Sequence, residues 1–322
     1  MTRKLRIVFM GTPSFAVECL KTLHSSQHQV VAVVTVPDKH SGRGLDVHPS
    51  EVKKAALAYS IPVLQPEKLK DEHFLKQLAD YKSDLFVVVA FRMLPEQVWT
   101  MPPLGTINLH ASLLPDYRGA APINWAVING DSKTGVTTFF IEKEIDTGKI
   151  IKQKEITIAY SDNAGIVHDK LMFLGSNLLL ETVNEIADGT VTPIDQSTLI
   201  TTNRQPKIAP KIFSQNCKIN WESNAEDIYN FIRGLSPYPG AWCNVRNTKT
   251  QNDLMLKVFE TQMINETHHL PVGKIISDNK SYMHITCQNG YISLVNLQLS
   301  GKKRLDIVEF LKGNKPENLE II

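Results

Sequence analysis

The chain is poor in cysteine, and the four it has (Cys19, Cys217, Cys243, Cys287) are scattered, with no Cys-x-x-Cys among them. That spacing argues against a disulfide framework and predicts reduced, buried or half-buried thiols. No His-Glu-x-x-His or comparable ligand spacing is present, so no metal is expected. No run approaches the ~20 apolar residues of a membrane span. The basic start, Met1-Thr2-Arg3-Lys4, leads into a short apolar stretch that breaks at Gly11-Thr12-Pro13. That reads as a first core strand rather than a signal peptide, and a cytoplasmic protein is expected. A large charge of either sign is also missing: the formal net charge is +2, which neither demands nor excludes a nucleic-acid partner. Finally, the three-glycine dinucleotide fingerprint is absent. Only Gly11 follows the first strand in Gly11-Thr12-Pro13-Ser14-Phe15, and Pro13 takes the early helix position it favours. NAD or FAD binding is therefore not expected.

What is present fits a globular protein of more than one core. The 322 residues are 42% hydrophobic and 21% charged, and a chain of that length predicts two domains. Apolar strands are predicted at 5–10, 30–36, 84–90 and 105–109, with helical stretches at 14–23, 50–59 and 71–81. Apolar strands alternating with helices mean an α/β fold with a doubly wound, mostly parallel sheet covered on both faces. The segments 134–141 and 150–158 read as an antiparallel continuation, and a long helix is predicted over 163–187. Residues 190–208 are polar, Pro-containing and aperiodic, which reads as a linker. Beyond it come one amphipathic helix near 224–234 and short strands at 241–246, 254–261, 272–277, 282–287 and 291–299. Short strands at even spacing predict a small β-barrel. No internal repeat is visible. From residue 207 onward Lys and Arg outnumber Asp and Glu by 14 to 11. That excess is too small to prove nucleic-acid binding.

The stretch Ile107-Asn108-Leu109-His110-Ala111-Ser112-Leu113-Leu114-Pro115-Asp116-Tyr117-Arg118-Gly119 carries the most chemistry. Positions two apart in a strand share a face, so Asn108 and His110 point together while Leu109 points into a core. Pro115 forbids continuation of the ladder. Two polar side chains thus stand at a sheet edge, where open α/β folds hold their ligands. With Ala120-Ala121-Pro122-Ile123 and the later Ile145-Asp146-Thr147-Gly148, this run resembles the signature of the folate-dependent formyltransferases. The resemblance extends from the first strand nearly to the C-terminus and is looser in the C-terminal part.

The resemblance implies a formyltransferase catalytic domain over 1–189, a linker over 190–208 and an OB-like domain over 209–322. It implies 10-formyltetrahydrofolate as formyl donor. Over the whole chain it points to members whose acceptor is methionyl initiator tRNA, working as monomers. Asn108, His110 and Asp146 are implied as the catalytic residues. The folate is expected against Phe91, Arg92, Met93 and Leu94, against Ser112, Leu113, Leu114 and Pro115, and against Ile141 and Asp146. The pterin loop departs from the family pattern: many members have Tyr-Gly and one more residue where this chain has Phe91-Arg92 and a shorter loop. The tRNA is expected at Lys39 and Arg43, in the Gly-rich loop after the second strand, and at Lys207, Lys211, Lys302, Lys303 and Arg304.

The chemistry suits those residue types. Attack of an amine on the formyl carbon makes a tetrahedral oxyanion, to which Asn108 can donate an amide N–H and a protonated His110 a second N–H. A free α-amine titrates near pH 8, so part of it is already neutral at about pH 7. A proton must still leave the attacking nitrogen and one must reach N10, work suited to an imidazole. Three plainer readings stand beside these roles. Asp146 could brace its turn before Gly148, Arg118 could clamp an anion or brace its loop, and Ser112 reads as structural. Trp221, Trp242 and Tyr238 could stack bases, but alternation favours the core. Two rivals are also open. One is a formyltransferase acting on a small amine, or a hydrolase releasing formate. The other is a non-catalytic RNA-binding module, which would bind RNA but no folate.

Overall fold

The computed structural model describes residues 3–41, 46–200 and 205–322. The chain forms two compact units: Met1–Gly119 with Thr134–Ile156 and His168–Ile208, and Ala120–Lys133 with Thr157–Val167 and Ala209–Ile322.

The first unit is built on a seven-stranded sheet. Its strands are β1 (Arg6–Gly11), β2 (Gln29–Val34), β3 (Val63–Leu64), β4 (Leu85–Val89), β5 (Thr106–His110), β6 (Lys133–Phe140) and β7 (Ile150–Thr157), in the spatial order β7-β6-β5-β4-β1-β2-β3. Strands β1 to β5 run parallel, and β6 joins β5 antiparallel. The central strands are buried along almost their whole length, as a sheet covered on both faces requires. The helices α1 (Ser14–His24), α2 (Glu51–Ala58) and α3 (Glu72–Asp80) connect them. Ser50 and Asp71 cap α2 and α3 by accepting the Lys53 and Phe74 backbone N–H, satisfying donors a helix start leaves open. Strand order reverses between β1 and β4, which places a crevice at their carboxyl ends. Gly11 stands there because the approach is close: a Cβ would lie 2.8 Å from that of Ala16 and 3.0 Å from the Val89 carbonyl oxygen.

Two features do not follow from the sequence patterns. The helix α4 (Pro122–Ile128) comes directly after the signature motif, with Pro122 in its first turn. The segment expected as a linker also carries tertiary bonds: Ile194 pairs with Ile150, and Gln196 is 1% exposed in a single 3-10 turn, Gln196–Leu199. Its polar side chains bond to distant partners, which local periodicity cannot reveal. The long helix, α5 (Ala164–Asp188), matches the expected span. Among the described residues, no helix is long and apolar enough to cross a membrane.

The second unit holds an antiparallel sheet of β8 (Ala241–Asn247), β9 (Asn252–Ile264), β10 (Ile275–Ser277), β11 (Met283–Cys287), β12 (Gly290–Leu299) and β13 (Leu319–Ile321). The order is β10-β11-β12-β9-β8-β13. The two ends approach each other: a Cβ at Gly273 would lie 3.7 Å from that of Ile321. The result is a nearly closed barrel. In β8, Ala241, Cys243 and Val245 point inward and alternate with Trp242, Asn244 and Arg246. The helix α6 (Ala225–Gly234) adds Ile228 and Ile232 to the same core. The short helix α7 (Ile307–Gly313) and β13 have no counterpart in the sequence patterns because both are too short for a periodic signal.

Candidate active site

Strand β5 does what its alternation predicts. Ile107 and Leu109 are buried at 0% and 3% exposure on one face, and Asn108 and His110 share the other. His110 is 7% exposed, and its Nε2 lies 2.8 Å from the Tyr117 carbonyl oxygen. A carbonyl only accepts, so this bond requires the proton on Nε2. Nδ1 is then the nitrogen left for chemistry. It lies 3.9 Å from Asp146 Oδ2, beyond a hydrogen bond but within ion-pair range once the imidazole is protonated. Phe139 meets the ring edge-on. Asn108 Oδ1 is buried with no hydrogen-bond partner. A buried amide oxygen left unspent costs free energy unless something fills it, and here it stands one strand step from the imidazole.

Asp146 reaches this point from the turn between β6 and β7. Its backbone is left-handed, φ +54°, a conformation that costs of order 1–3 kcal/mol for a non-glycine residue. Three contacts hold it. Its Oδ2 accepts the Gly119 N–H at 2.9 Å, and Gln196 Nε2 donates to the carbonyls of both Asp146 and Gly148, at 2.9 and 2.8 Å. Gly148 is required because the turn presses against the end of β6: a Cβ there would lie 1.7 Å from the Phe140 carbonyl oxygen. Gln196 Oε1 in turn accepts Arg118 Nε and Nη2, at 3.1 and 2.6 Å. Arg118 is therefore a brace that acts through Gln196. Sequence reasoning missed Gln196 altogether, since it stands 50 residues from Asp146 in an aperiodic stretch.

The Ser112–Pro115 segment divides between scaffold and surface. Ser112 is fully buried and its hydroxyl donates to the Asp116 carbonyl at 2.6 Å. Leu114 is 2% exposed and packs with Phe139 and Ile150. Both side chains are packed into the fold. Leu113 and Pro115 remain half-buried. Gln153, which no sequence motif singles out, steadies the loop by donating to the Leu114 carbonyl and to Thr137 Oγ1.

The Phe91–Leu94 loop follows Ala90, a left-handed residue at φ +46°. Met93 is 69% exposed and Leu94 8%. Phe91 and Ile141 are half-buried against the core shared by β1, β2 and β4. Arg92 lies over the Phe91 ring at 5.5 Å. Its Nη1 donates to the Glu67 carbonyl at 2.9 Å and its Nη2 to the Pro66 carbonyl. Burial lowers its pKa from the usual arginine value. The guanidinium thus holds the loop by backbone carbonyls.

Among the residues expected to meet tRNA, Arg43 lies outside the described residues, and Lys39 opens the short strand Lys39–Ser41. In the first unit, Lys207 Nζ lies 5.4 Å from the Tyr117 ring centre. In the second, Lys302, Lys303 and Arg304 are all exposed. Arg304 stacks on Phe259 at 4.2 Å and donates to Asn296, and Lys211 lies over Phe213 at 5.3 Å. Trp221 is 6% exposed, as alternation predicts, whereas Tyr238 is 83% exposed in a proline-flanked turn and belongs to no core.

The chain is similar to known proteins over nearly all of its length. The family described as formyl transferase matches residues 5–183, and the one described as formyl transferase, C-terminal domain, matches 211–315. A Bacteroides thetaiotaomicron protein named methionyl-tRNA formyltransferase is 54% identical over 309 residues, covering 96% of this chain and 95% of its own. One from Flavobacterium johnsoniae with the same name is 50% identical, with 96% of each chain covered. Among solved structures, an N-formyltransferase of Helicobacter canadensis in complex with folinic acid and dTDP-3-aminofucose superposes with TM-score 0.63. It is 19% identical and covers 94% of this chain and all of its own. HypX of Aquifex aeolicus gives TM-score 0.63 at 18% identity, covering 97% of this chain and 48% of HypX. At those identities the two structures show a shared fold.

Proposed function

The chain belongs to the formyl transferase family, and from that premise we propose that it moves the formyl group of 10-formyltetrahydrofolate to the α-amino group of methionyl initiator tRNA. The observation that carries this reading is the match, about half identical and 96% covering, to relatives named for that reaction. It spans the barrel unit as well as the catalytic sheet. We assign catalysis to 1–189, a connecting segment to 190–208 and tRNA holding to 209–322, and we place a monomeric enzyme in the cytoplasm.

The roles follow from the site. The amine lone pair attacks the formyl carbon, a C–N bond forms, and the carbonyl oxygen becomes an oxyanion. Asn108 and a protonated His110, donating from Nδ1, are assigned to that oxygen. One such preorganised donor is worth about 3–4 kcal/mol in kcat. The fixed Nε2–H bond to Tyr117 keeps the ring from turning, so the donor is oriented before substrate arrives. Collapse of the adduct breaks the bond to N10. The Nδ1 proton is assigned to N10 as that bond breaks, and the emptied Nδ1 lone pair, with Asp146 3.9 Å away, then takes the proton that the former amine nitrogen loses, so His110 ends as it began. The folate is assigned to Phe91–Leu94, Ser112–Pro115, Ile141 and Asp146, and the tRNA to Lys39, Arg43, Lys207, Lys211 and Lys302–Arg304.

His110→Ala tests the assignment. It is expected to lower kcat at least about 100-fold with folate affinity retained. A variant that turns over at the wild-type rate would remove His110 from the mechanism.

A further inference from the structure

The two loops that this reading gives to different substrates are tied to one short segment, residues 65–67. The segment leaves β3, whose carbonyls anchor it to β2: Val33 N–H donates to the Pro62 carbonyl at 2.8 Å and Thr35 N–H to that of Leu64 at 3.0 Å. Gln65 Nε2 then donates twice toward the loop after β2, to the Val36 carbonyl at 2.8 Å and to Asp38 Oδ1 at 2.7 Å. The other Asp38 oxygen takes Lys53 Nζ, at the start of α2. This is the stem that leads into the polar loop assigned to the tRNA. The next two carbonyls, Pro66 and Glu67, take the Arg92 guanidinium, which holds the loop assigned to the folate. Three consecutive residues therefore fasten both loops.

We propose that residues 65–67 couple the two substrate loops, so that the folate and the methionyl initiator tRNA bind with linked affinities. The claim rests on the substrate assignment of both loops given above. Linkage is reciprocal: whatever factor the folate applies to tRNA affinity, the tRNA applies to folate affinity. Networks of this kind carry coupling of roughly 2- to 30-fold. Gln65 and Arg92 act here as positioning residues, Gln65 through Val36 and Asp38 and Arg92 through the Pro66 and Glu67 carbonyls.

The test uses tetrahydrofolate, which has no formyl group to transfer, and methionyl initiator tRNA. The tRNA affinity of the full-length protein is measured with and without saturating tetrahydrofolate, for wild type, Gln65→Ala, Arg92→Ala and the double variant. Wild type is expected to show an affinity ratio of about threefold or more. Each single variant should bring the ratio close to one, and the double variant should go no further, since both cut the same link. Gln65→Glu keeps the side-chain size and replaces the donor by a charge facing Asp38, so it should abolish the ratio without a cavity. Arg92→Lys keeps one donor and should restore part of it. Thermal melts separate these effects from loss of fold. A wild type that binds both ligands with independent affinities overturns the coupling and leaves the functional reading standing. Variants that keep the wild-type ratio overturn it equally. A wild type that binds neither ligand overturns the functional reading itself, and this inference with it.

Discussion

Replacing Gln196 by Ala should slow the enzyme about 100-fold by displacing Asp146, although it removes no catalytic side chain. The buried amide makes four hydrogen bonds, two to the carbonyls of Asp146 and Gly148 and two from Arg118. The neutral pair is worth about 1 kcal/mol each, and bonds to a charged group about 1.5–3 kcal/mol. Together these give roughly 5–8 kcal/mol as an upper bound, since Arg118 is only half-buried and water can replace part of what it loses. The loss falls on a turn whose central residue is already strained at φ +54°. Relaxation of that turn would carry Asp146 away from His110 Nδ1, and a misplacement of ~1 Å can cost about 100-fold in rate. Single-turnover formylation by quenched flow measures the rate, and urea unfolding measures the stability. We expect a rate near one hundredth of wild type and a lowered urea midpoint. Gln196→Glu should do no better, because it keeps the Arg118 acceptor but sets a carboxylate against two carbonyls. A Gln196→Ala enzyme with wild-type turnover, whatever its stability, would refute the claim that this side chain positions Asp146.

Other outcomes follow from single features. Gly148→Ala puts a methyl 1.7 Å from the Phe140 carbonyl oxygen, so the turn must move, and a loss of several kcal/mol in urea unfolding is expected, of order 2–4. Burial pushes the Cys243 thiol up to about 12 and the Cys19 thiol higher still, and all four cysteines are buried. Native protein at about pH 8, just below the ordinary thiol range, should therefore resist a thiol-reactive dye that labels all four in urea; fast native labelling would contradict that burial. Asp38 is held below the usual carboxylate range, first by its hydrogen bond from Lys53 and then by that from Gln65. A lowered folded pKa gives stability that is present above the unfolded value and lost as pH falls through the folded one. The stability gap between wild type and Asp38→Asn should therefore be full at about pH 7 and close below about pH 4. Replacing Lys302, Lys303 and Arg304 together should weaken tRNA binding and flatten its log–log salt dependence by about one unit for each phosphate no longer neutralised. An unchanged slope would clear those residues of contact with the backbone.

The parts of the fold that are legible in the sequence are those whose signal is local. Continuous apolar runs such as Leu85–Val89, set between helical stretches, read as central parallel strands, and the alternation Asn108-Leu109-His110 by itself puts two polar groups on one face. The illegible parts depend on distant partners. Nothing near Gln196 reports that it will be buried against a turn 50 residues away. Ser112 and Leu114 sit inside the signature motif, yet motif membership does not distinguish a side chain that meets a ligand from one that builds the loop. What only the structure adds is that both side chains are buried. Tyr238 shows the converse. Residues on either side of its turn, such as Leu235 and Ala241, are buried, but the turn carries it out to solvent.

Formyl transfer to the initiator species is the central claim, and a single-turnover assay tests it most directly. The protein is mixed with 10-formyltetrahydrofolate and, in parallel, with methionyl initiator tRNA, methionyl elongator tRNA and free methionine. Fast formylation confined to the initiator tRNA is the predicted result. Folate turnover with no formyl group on any tRNA would contradict it, and would direct the same catalytic site toward a small amine or water.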